Sequence, residues 1–318
     1  MTNNSLHKAR DLKNDEFYTR YEDIEEEMLF YKDYFKDKTI YCNCDDPKKS
    51  NFWKYFHINF KKLHLNKLIS THYEMEDAQS YKQEYIGGQD EDITEGKITF
   101  LLQNGDFRSC ECIECIEESD IIITNPPFSL FRDFINVLMD FNKDFIVLGN
   151  INALTYKEIF PYIQNNKIWL GYRNLNKDMY FHIPKEKQEW YVENKKEGSA
   201  YKIMNEEVMG RLASITWYTN IDHKKRHEFL KTNFTYRKNK ELYKKFDEYD
   251  ALNIDKVSQI PMDYKGIMGV PITFMDKYSP EQFKIVGIFK HGCDGPWDLA
   301  RCFVEGKEKF TRIAIQKI

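Results

Sequence analysis

The chain has 318 residues, a formal net charge of −4, and 42% hydrophobic against 31% charged residues, which suits one large α/β domain with an accessory region, or two domains. No run approaches the ~18 apolar residues of a membrane span, and polar residues 1–13 lack the apolar core of a secretory signal, so no membrane partner is expected. Seven cysteines, an odd number without such a signal, point to reduced thiols and a cytoplasmic protein. The acidic balance does not itself suggest nucleic acid, although an average hides local patches.

Residues 15–36 read as a helical region, acidic from Glu22 and carrying Met28, Leu29, Tyr31, Tyr34 and Phe35 as an apolar face. Strands are predicted at 39–42, 67–71, 97–102, 120–124, 144–148, 167–171 and 214–221, and helices at 50–63, after residue 130 and at 156–164. Strands alternating with helices predict a mostly parallel sheet covered by helices on both faces. The polar run Gly87-Gly88-Gln89-Asp90-Glu91-Asp92 reads as a loop, and residues 185–198, dense in Lys and Glu, as a solvated insertion.

The most informative stretch is Asn125-Pro126-Pro127-Phe128, at the carboxyl end of the strand Asp120-Ile121-Ile122-Ile123-Thr124. Open α/β sheets bind ligands at the carboxyl ends of their strands. Two prolines fix φ and remove two donors, so the turn is stiff and its carbonyls are available as acceptors. Asn125 adds an amide oxygen and Phe128 a flat apolar face. Together they suit an exocyclic amine on a flat ring. The blander reading is an ordinary strand-ending turn, since Asn and Pro are common there.

Cys110, Cys112 and Cys115 are spaced C-x-C-x-x-C, which invites a zinc reading. A structural zinc site needs four ligands, and neither Cys42 and Cys44 nor the distant Cys293 and Cys302 complete one. No metal is expected. After residue 221 the character changes: residues 223–245 hold nine Lys or Arg against two acids, with Phe229, Phe234, Tyr236 and Tyr243 between them. Cationic charge interleaved with aromatic rings suits phosphates and unstacked bases. Lys224, Lys225, Arg226, Arg237 and Lys238 are the candidate DNA contacts; a solvated basic loop is the alternative.

Four segments then fall in a meaningful order: Asp15-Glu16-Phe17-Tyr18-Thr19, Cys44-Asp45-Asp46-Pro47, Gly105-Asp106-Phe107 and Asn125 to Phe128. Over Asp15 to Thr19, Tyr41 to Pro47, Gly105 to Ser109 and Thr124 to Phe131, and on through Thr155-Tyr156-Lys157-Glu158, residues 167–171 and residues 268–274, nearly the whole chain resembles the adenine-specific DNA methyltransferases of the EcoRI modification-methylase type. The resemblance implies a Rossmann-like S-adenosylmethionine-dependent sheet. It implies cofactor contacts from Phe17, Tyr18 and Thr19 over the methionine portion, from Asn43, Asp45, Asp46 and Pro47 in the main cofactor loop, and from Asn125. Asp106 would accept from the cofactor's adenine amine, and Phe107 would pack on its ring. The main loop departs from the usual pattern in having no glycine, so its backbone is not expected to approach the cofactor as a Gly-x-Gly turn does.

The resemblance further implies transfer of a methyl group to the N6 amine of adenine in double-stranded DNA, with the base flipped out of the helix. Asn125, Pro126, Pro127 and Phe128 are the catalytic set. A catalytic domain over 1–221 and a C-terminal DNA-recognition region over 222–318 are expected. A cognate restriction endonuclease fits such a system, and no obligatory protein partner is evident. Two other readings compete. One is a methyltransferase for RNA adenine or a protein glutamine amide, which has little use for the basic segment. The other is a non-catalytic DNA-binding protein with a decayed fold, against which intact Asn125 and Pro126 argue. Trp217 is either a second stacking surface or a core residue.

Overall fold

The computed structural model describes residues 18–74, 79–175, 177–290 and 302–318. The chain forms two compact units, Met1–Asn150 with Gly171–Ile221, and Ile151–Leu170 with Asp222–Ile318. Residues 151–170, expected in the first domain, thus group with the C-terminal part. Among the described residues no helix is long and apolar enough to cross a membrane.

The first unit carries strand β1 (Tyr18–Thr19), β2 (Thr39–Cys42), β3 (Lys67–His72), β4 (Tyr81–Tyr85), β5 (Lys97–Phe100), β6 (Ile121–Thr124) and β7 (Asp144–Asn150). Its main sheet runs β5-β4-β3-β2-β6-β7 and then Ile215–Thr219. Only β3, β2, β6 and β7 are mutually parallel; β4, β5 and Ile215–Thr219 join antiparallel. The fold is therefore mixed α/β rather than mostly parallel. The reason is connection length: residues 73–80 between β3 and β4 are too few for the crossover of a dozen or more residues that parallel pairing needs.

β2 and β6 are buried at every position, as their β-branched and apolar residues anticipate. Asp120 fixes their offset: its carboxylate accepts from the Thr39 N–H at 2.8 Å and from Lys38 Nζ at 3.2 Å. Helices α1 (Tyr21–Met28), α2 (Asn51–Ile58), α3 (Cys110–Glu118) and α4 (Phe131–Asp140) contribute apolar stripes. In α4 the stripe is Phe131, Phe134, Ile135 and Leu138, all buried. Phe131 lies so close to β7 that a Cβ on Gly149 would fall 2.4 Å from its ring. Trp217 is fully buried, edge-on to Phe52 at 6.0 Å, and is a core residue.

A second, smaller sheet pairs β1 with Met179–His182, then Glu207–Leu212 and Tyr201–Met204. Residues 185–198, expected as a solvated insertion, hold the helix Lys185–Asn194, none of whose residues is buried. α1 is tied to the start of this region by buried charge. Glu27, fully buried, accepts from the backbone N–H groups of Tyr172 and Arg173 at 2.6 and 2.8 Å, and Arg173 Nη1 meets Asp23 Oδ1 at 2.6 Å.

The second unit is built on an antiparallel sheet in which Arg312–Lys317 lies between Ile267–Pro271 and Phe283–Phe289. Leu252–Asn253 adds to Ile267–Pro271 in parallel. Of the expected strand at 167–171, Trp169–Leu170 is extended.

Candidate functional site

The site assembles at the carboxyl ends of β2, β3 and β6. β2 leads into Asn43, fully buried, then Cys44, whose φ of 64° places a non-glycine residue in the left-handed region. The glycine-free loop thus makes a sharp turn on a cysteine. The Ser70 hydroxyl, on β3, holds it there: it donates to Asp45 O at 2.5 Å, with Cys42 O 3.1 Å away on the other side of the turn. The loop ends at Ser50, which caps α2 by accepting from the Phe52 N–H at 3.1 Å. Asn51 Nδ2 then donates to Thr19 O at 2.8 Å, bringing β1 to the same place.

Asp45 is the hub. Its carboxylate is buried; Oδ1 accepts from Ser50 Oγ at 2.8 Å, Oδ2 lies 2.5 Å from Thr124 Oγ1, and the Asn125 backbone N–H donates to the same group. Burial raises its pKa to about 7 against the pull of those donors, with Asp46 adding a smaller push upward. Its neighbour Asp46 faces elsewhere: Tyr81 donates to Oδ1 at 2.8 Å and His72 Nδ1 lies 3.7 Å from Oδ2. Pro47 is buried and continues the turn.

The loop at Gly105 lies against the end of β3. Gly105 has φ +77°, and a Cβ there would fall 2.4 Å from His72 O; the Glu74 N–H donates to Asn104 O at 3.0 Å. Asp106 is gripped by Arg108, whose Nε and Nη2 reach its two oxygens at 2.8 and 2.7 Å. Phe107 is 2% exposed, edge-on to Phe134 at 5.1 Å, with the Arg108 guanidinium over its ring at 5.0 Å. That guanidinium lies where a stacked base would sit, so Arg108 has to move for Phe107 to meet an adenine.

The catalytic candidates follow β6 directly. Pro126 is buried, while Asn125, Pro127 and Phe128 are partly exposed. The Leu130 N–H donates to Pro127 O at 2.9 Å, closing a tight helical turn over Phe128–Leu130. Phe128 packs in part against the main core, which limits how freely its ring turns.

The structure therefore brings together Tyr18, Thr19, Asn43, Asp45, Asp46, Pro47, Asp106, Phe107 and Asn125 to Phe128, all in the first unit. Asp15, Glu16 and Phe17 lie outside the described residues. Ser50, Ser70, His72, Tyr81, Arg108 and Thr124 belong to the same constellation and were not among the expected site residues, although Arg108 and Thr124 lie in the segments that carry the resemblance. Of these only Ser50 carried a local signal, a Ser immediately before an apolar helical run.

The basic candidates, all in the second unit, do not form one exposed patch. Lys225 Nζ meets Asp276 Oδ1 at 2.6 Å, with both side chains at most 10% exposed. Arg226 is 12% exposed, lies over the Trp169 ring at 4.0 Å and bonds Asn166 Oδ1 at 3.1 Å. As phosphate contacts these two would first have to leave those partners. Lys224, Arg237 and Lys238 are exposed. Tyr236 packs on Tyr243 and Tyr264, whereas Phe229 is 56% exposed. Of the helix cysteines, Cys112 and Cys115 are buried and Cys110 is exposed; burial pushes the Cys115 thiol up to about 12.

Comparison with known proteins adds a second line of observation. The family described as adenine-specific methyltransferase EcoRI matches residues 5–312. The Type II methyltransferase M.EcoRI of Escherichia coli is 40% identical over 99% of this chain and 97% of its own length. The Type II methyltransferase M.MgeORF184P of Mycoplasma genitalium is 41% identical over 88% of this chain and 85% of its own. The Type II methyltransferase M.MpnI of Mycoplasma pneumoniae is 36% identical over 88% and 84%. No solved structure matches the chain.

Proposed function

Because the chain belongs to the family of the EcoRI adenine-specific methyltransferase, we propose that it methylates the N6 amine of adenine in double-stranded DNA, the base being flipped out of the duplex. The observation that carries this reading is the convergence of Thr19, the Asn43–Pro47 loop and Asn125 at the ends of β2 and β6, held by bonds through Asn51, Ser50 and Asp45.

The methyl donor we assign is S-adenosylmethionine, and the polar atoms present fit it. Thr19 Oγ1 and Asn43 Nδ2 are buried and have no hydrogen-bond partner among the described residues. Buried polar atoms are normally satisfied. A donor and a hydroxyl flanking one loop suit the polar amino-acid end of such a molecule. Tyr18 and Pro47 would shape the same pocket, and Asp46 and Glu74 offer carboxylates at the strand ends where a ribose diol is commonly held. When bound, the cofactor supplies an electrophilic methyl group.

The amino nitrogen of adenine is a weak nucleophile because its lone pair is delocalised into the ring. Asn125 Oδ1 and the Pro126 carbonyl would each accept one of its N–H bonds, drawing the nitrogen toward a tetrahedral form. Orientation and fixed dipoles then lower the barrier without a covalent intermediate. A base within a duplex cannot reach such a turn, so it is extruded, with Phe128 as the stacking surface. In this reading β2, β3, β6 and β7 form a Rossmann-like core and residues 222–318 meet the DNA, with Lys224, Arg237 and Lys238 against phosphates. Relatives named Type II methyltransferases support a place in a restriction-modification system beside a cognate endonuclease.

Asn125→Ala tests the assignment: turnover should fall by at least ~10²-fold, typical of removing one preorganised polar group, with cofactor affinity near normal. Near-wild-type turnover removes Asn125 from the mechanism.

A further inference from the structure

Asp106 and Phe107 are the residues assigned to the cofactor's adenine, and one side chain engages both of them. Arg108 donates from Nε and Nη2 to the two Asp106 oxygens at 2.8 and 2.7 Å, and its guanidinium lies over the Phe107 ring at 5.0 Å. A guanidinium is planar, weakly hydrated and edged with N–H donors. It therefore satisfies the same two partners that an adenine needs, a ring to lie on and a carboxylate for its amine. The carboxylate keeps its aim when that side chain leaves, because the Arg108 backbone N–H also donates to Asp106 Oδ1, at 2.9 Å.

A second carboxylate is within reach. Arg108 Nη1 is 4.0 Å from Oδ2 of Asp133, in the first turn of α4, the helix that follows the catalytic turn. The Arg108 side chain is 49% exposed and that of Asp133 60%, so nothing packed around them prevents a swing from one acid to the other. We propose that Arg108 is an intramolecular stand-in for the cofactor's adenine: it fills the Asp106–Phe107 site in the free enzyme and turns to Asp133 when the adenine enters. This rests on the assignment of Asp106 and Phe107 to that adenine. Entry requires Arg108 to give up one ion pair and one cation–π contact, both open to solvent and each weak. Apparent affinity falls with the fraction of molecules in which the arginine holds the site. S-adenosylmethionine and its demethylated product, S-adenosylhomocysteine, share the adenine, so the arginine competes with both and helps the product to leave.

The test uses the full-length protein and calorimetry with S-adenosylmethionine and, separately, S-adenosylhomocysteine. Arg108→Ala should bind both about 3–10-fold more tightly than wild type, a gain that loss of a merely structural arginine does not produce. Arg108→Lys keeps the charge without the planar fork and should lie closer to Arg108→Ala than to wild type. Asp133→Asn should weaken both ligands by about 2–4-fold and should have no effect once Arg108 is alanine. Equal or weaker binding by Arg108→Ala overturns the proposal, weaker binding marking the arginine as a direct cofactor contact. So does an Asp133→Asn effect that persists without Arg108. Asp106→Ala placed in the Arg108→Ala background reads the parent assignment by itself. If it weakens the cofactor by about 10-fold or more while Arg108→Ala gives no gain, only the role of Arg108 fails. If it leaves affinity unchanged, the adenine lies elsewhere and the parent assignment fails as well.

Discussion

Gly105 and Gly198 have nearly the same positive φ in very different surroundings, and substituting each with alanine separates two costs. Their φ values are +77° and +79°; a Cβ on Gly105 would lie 2.4 Å from His72 O, while one on Gly198 meets nothing within 4 Å. The left-handed region costs an L-residue about 1–2 kcal/mol. Alanine recovers about 0.4–1 kcal/mol by restricting the unfolded chain. Gly198→Ala should therefore destabilise by only about 1 kcal/mol. Gly105→Ala carries the same cost and must also push its loop off β3. That loosens the Glu74 N–H bond to Asn104 O at 3.0 Å and the Cys112 thiol bond to Gly105 O at 3.4 Å. The two bonds add about 1–2 kcal/mol. At roughly 2–4 °C per kcal/mol for a unit of this size, the expected drops in Tm are about 5–12 °C for Gly105→Ala and about 2–4 °C for Gly198→Ala. Thermal unfolding followed by circular dichroism measures both, and calorimetry with S-adenosylmethionine should find weakened binding in Gly105→Ala alone. Equal shifts in the two variants would refute the close approach of this loop to β3.

Asp106→Ala should weaken S-adenosylmethionine by about 1–3 kcal/mol, the effect of leaving a buried partner unpaired; unchanged affinity by calorimetry would mean that Asp106 serves only to hold Arg108. Lys225→Ala should destabilise the protein by about 2–4 kcal/mol, somewhat less than the ~3–5 of a fully orphaned buried charge, because Lys277 also reaches Asp276 at 3.0 Å. A denaturant midpoint equal to wild type counts against it. Neutralising exposed Lys224, Arg237 and Lys238 together should leave stability alone and flatten the salt dependence of DNA binding, by up to about 0.9 slope units for each phosphate left without its cation. Parallel plots of log affinity against log salt would exclude these three as phosphate contacts.

The parallel strands were legible because burial on both faces forces a run of β-branched and apolar residues, as in Ile121-Ile122-Ile123-Thr124. β4 escaped notice for the opposite reason. Its Tyr-Lys-Gln-Glu-Tyr alternates buried and half-buried positions and has no β-branched residue. The strands of the smaller sheet of the first unit, Met179–His182, Tyr201–Met204 and Glu207–Leu212, are short and flank the Lys- and Glu-rich residues 185–198 rather than lying in them. In the second unit, the strands Phe283–Phe289 and Arg312–Lys317 carry Lys284, Arg312 and Lys317 among their apolar residues, which weakens the strand pattern. The roles of the basic residues could not be separated by sequence, since Lys225 and Lys224 are adjacent. What divides them is Asp276, 51 residues beyond Lys225.

The same kind of long-range pairing explains how the Asn43–Pro47 loop dispenses with glycine. A left-handed Cys44 costs about 1–2 kcal/mol relative to an ordinary conformation, and the sequence around it offers nothing to offset that. The compensation comes from elsewhere in the chain. Ser70, on the neighbouring strand, donates to the Asp45 carbonyl after the turn, and Thr124, 79 residues beyond Asp45, closes on the Asp45 carboxylate. At about 0.5–1.5 kcal/mol per hydrogen bond, these contacts match or exceed the strain. Glycine would permit the turn but also many others. A strained cysteine fixed by two strands permits far fewer, which suits a loop whose Asp45 carboxylate also holds the Asn125 backbone N–H.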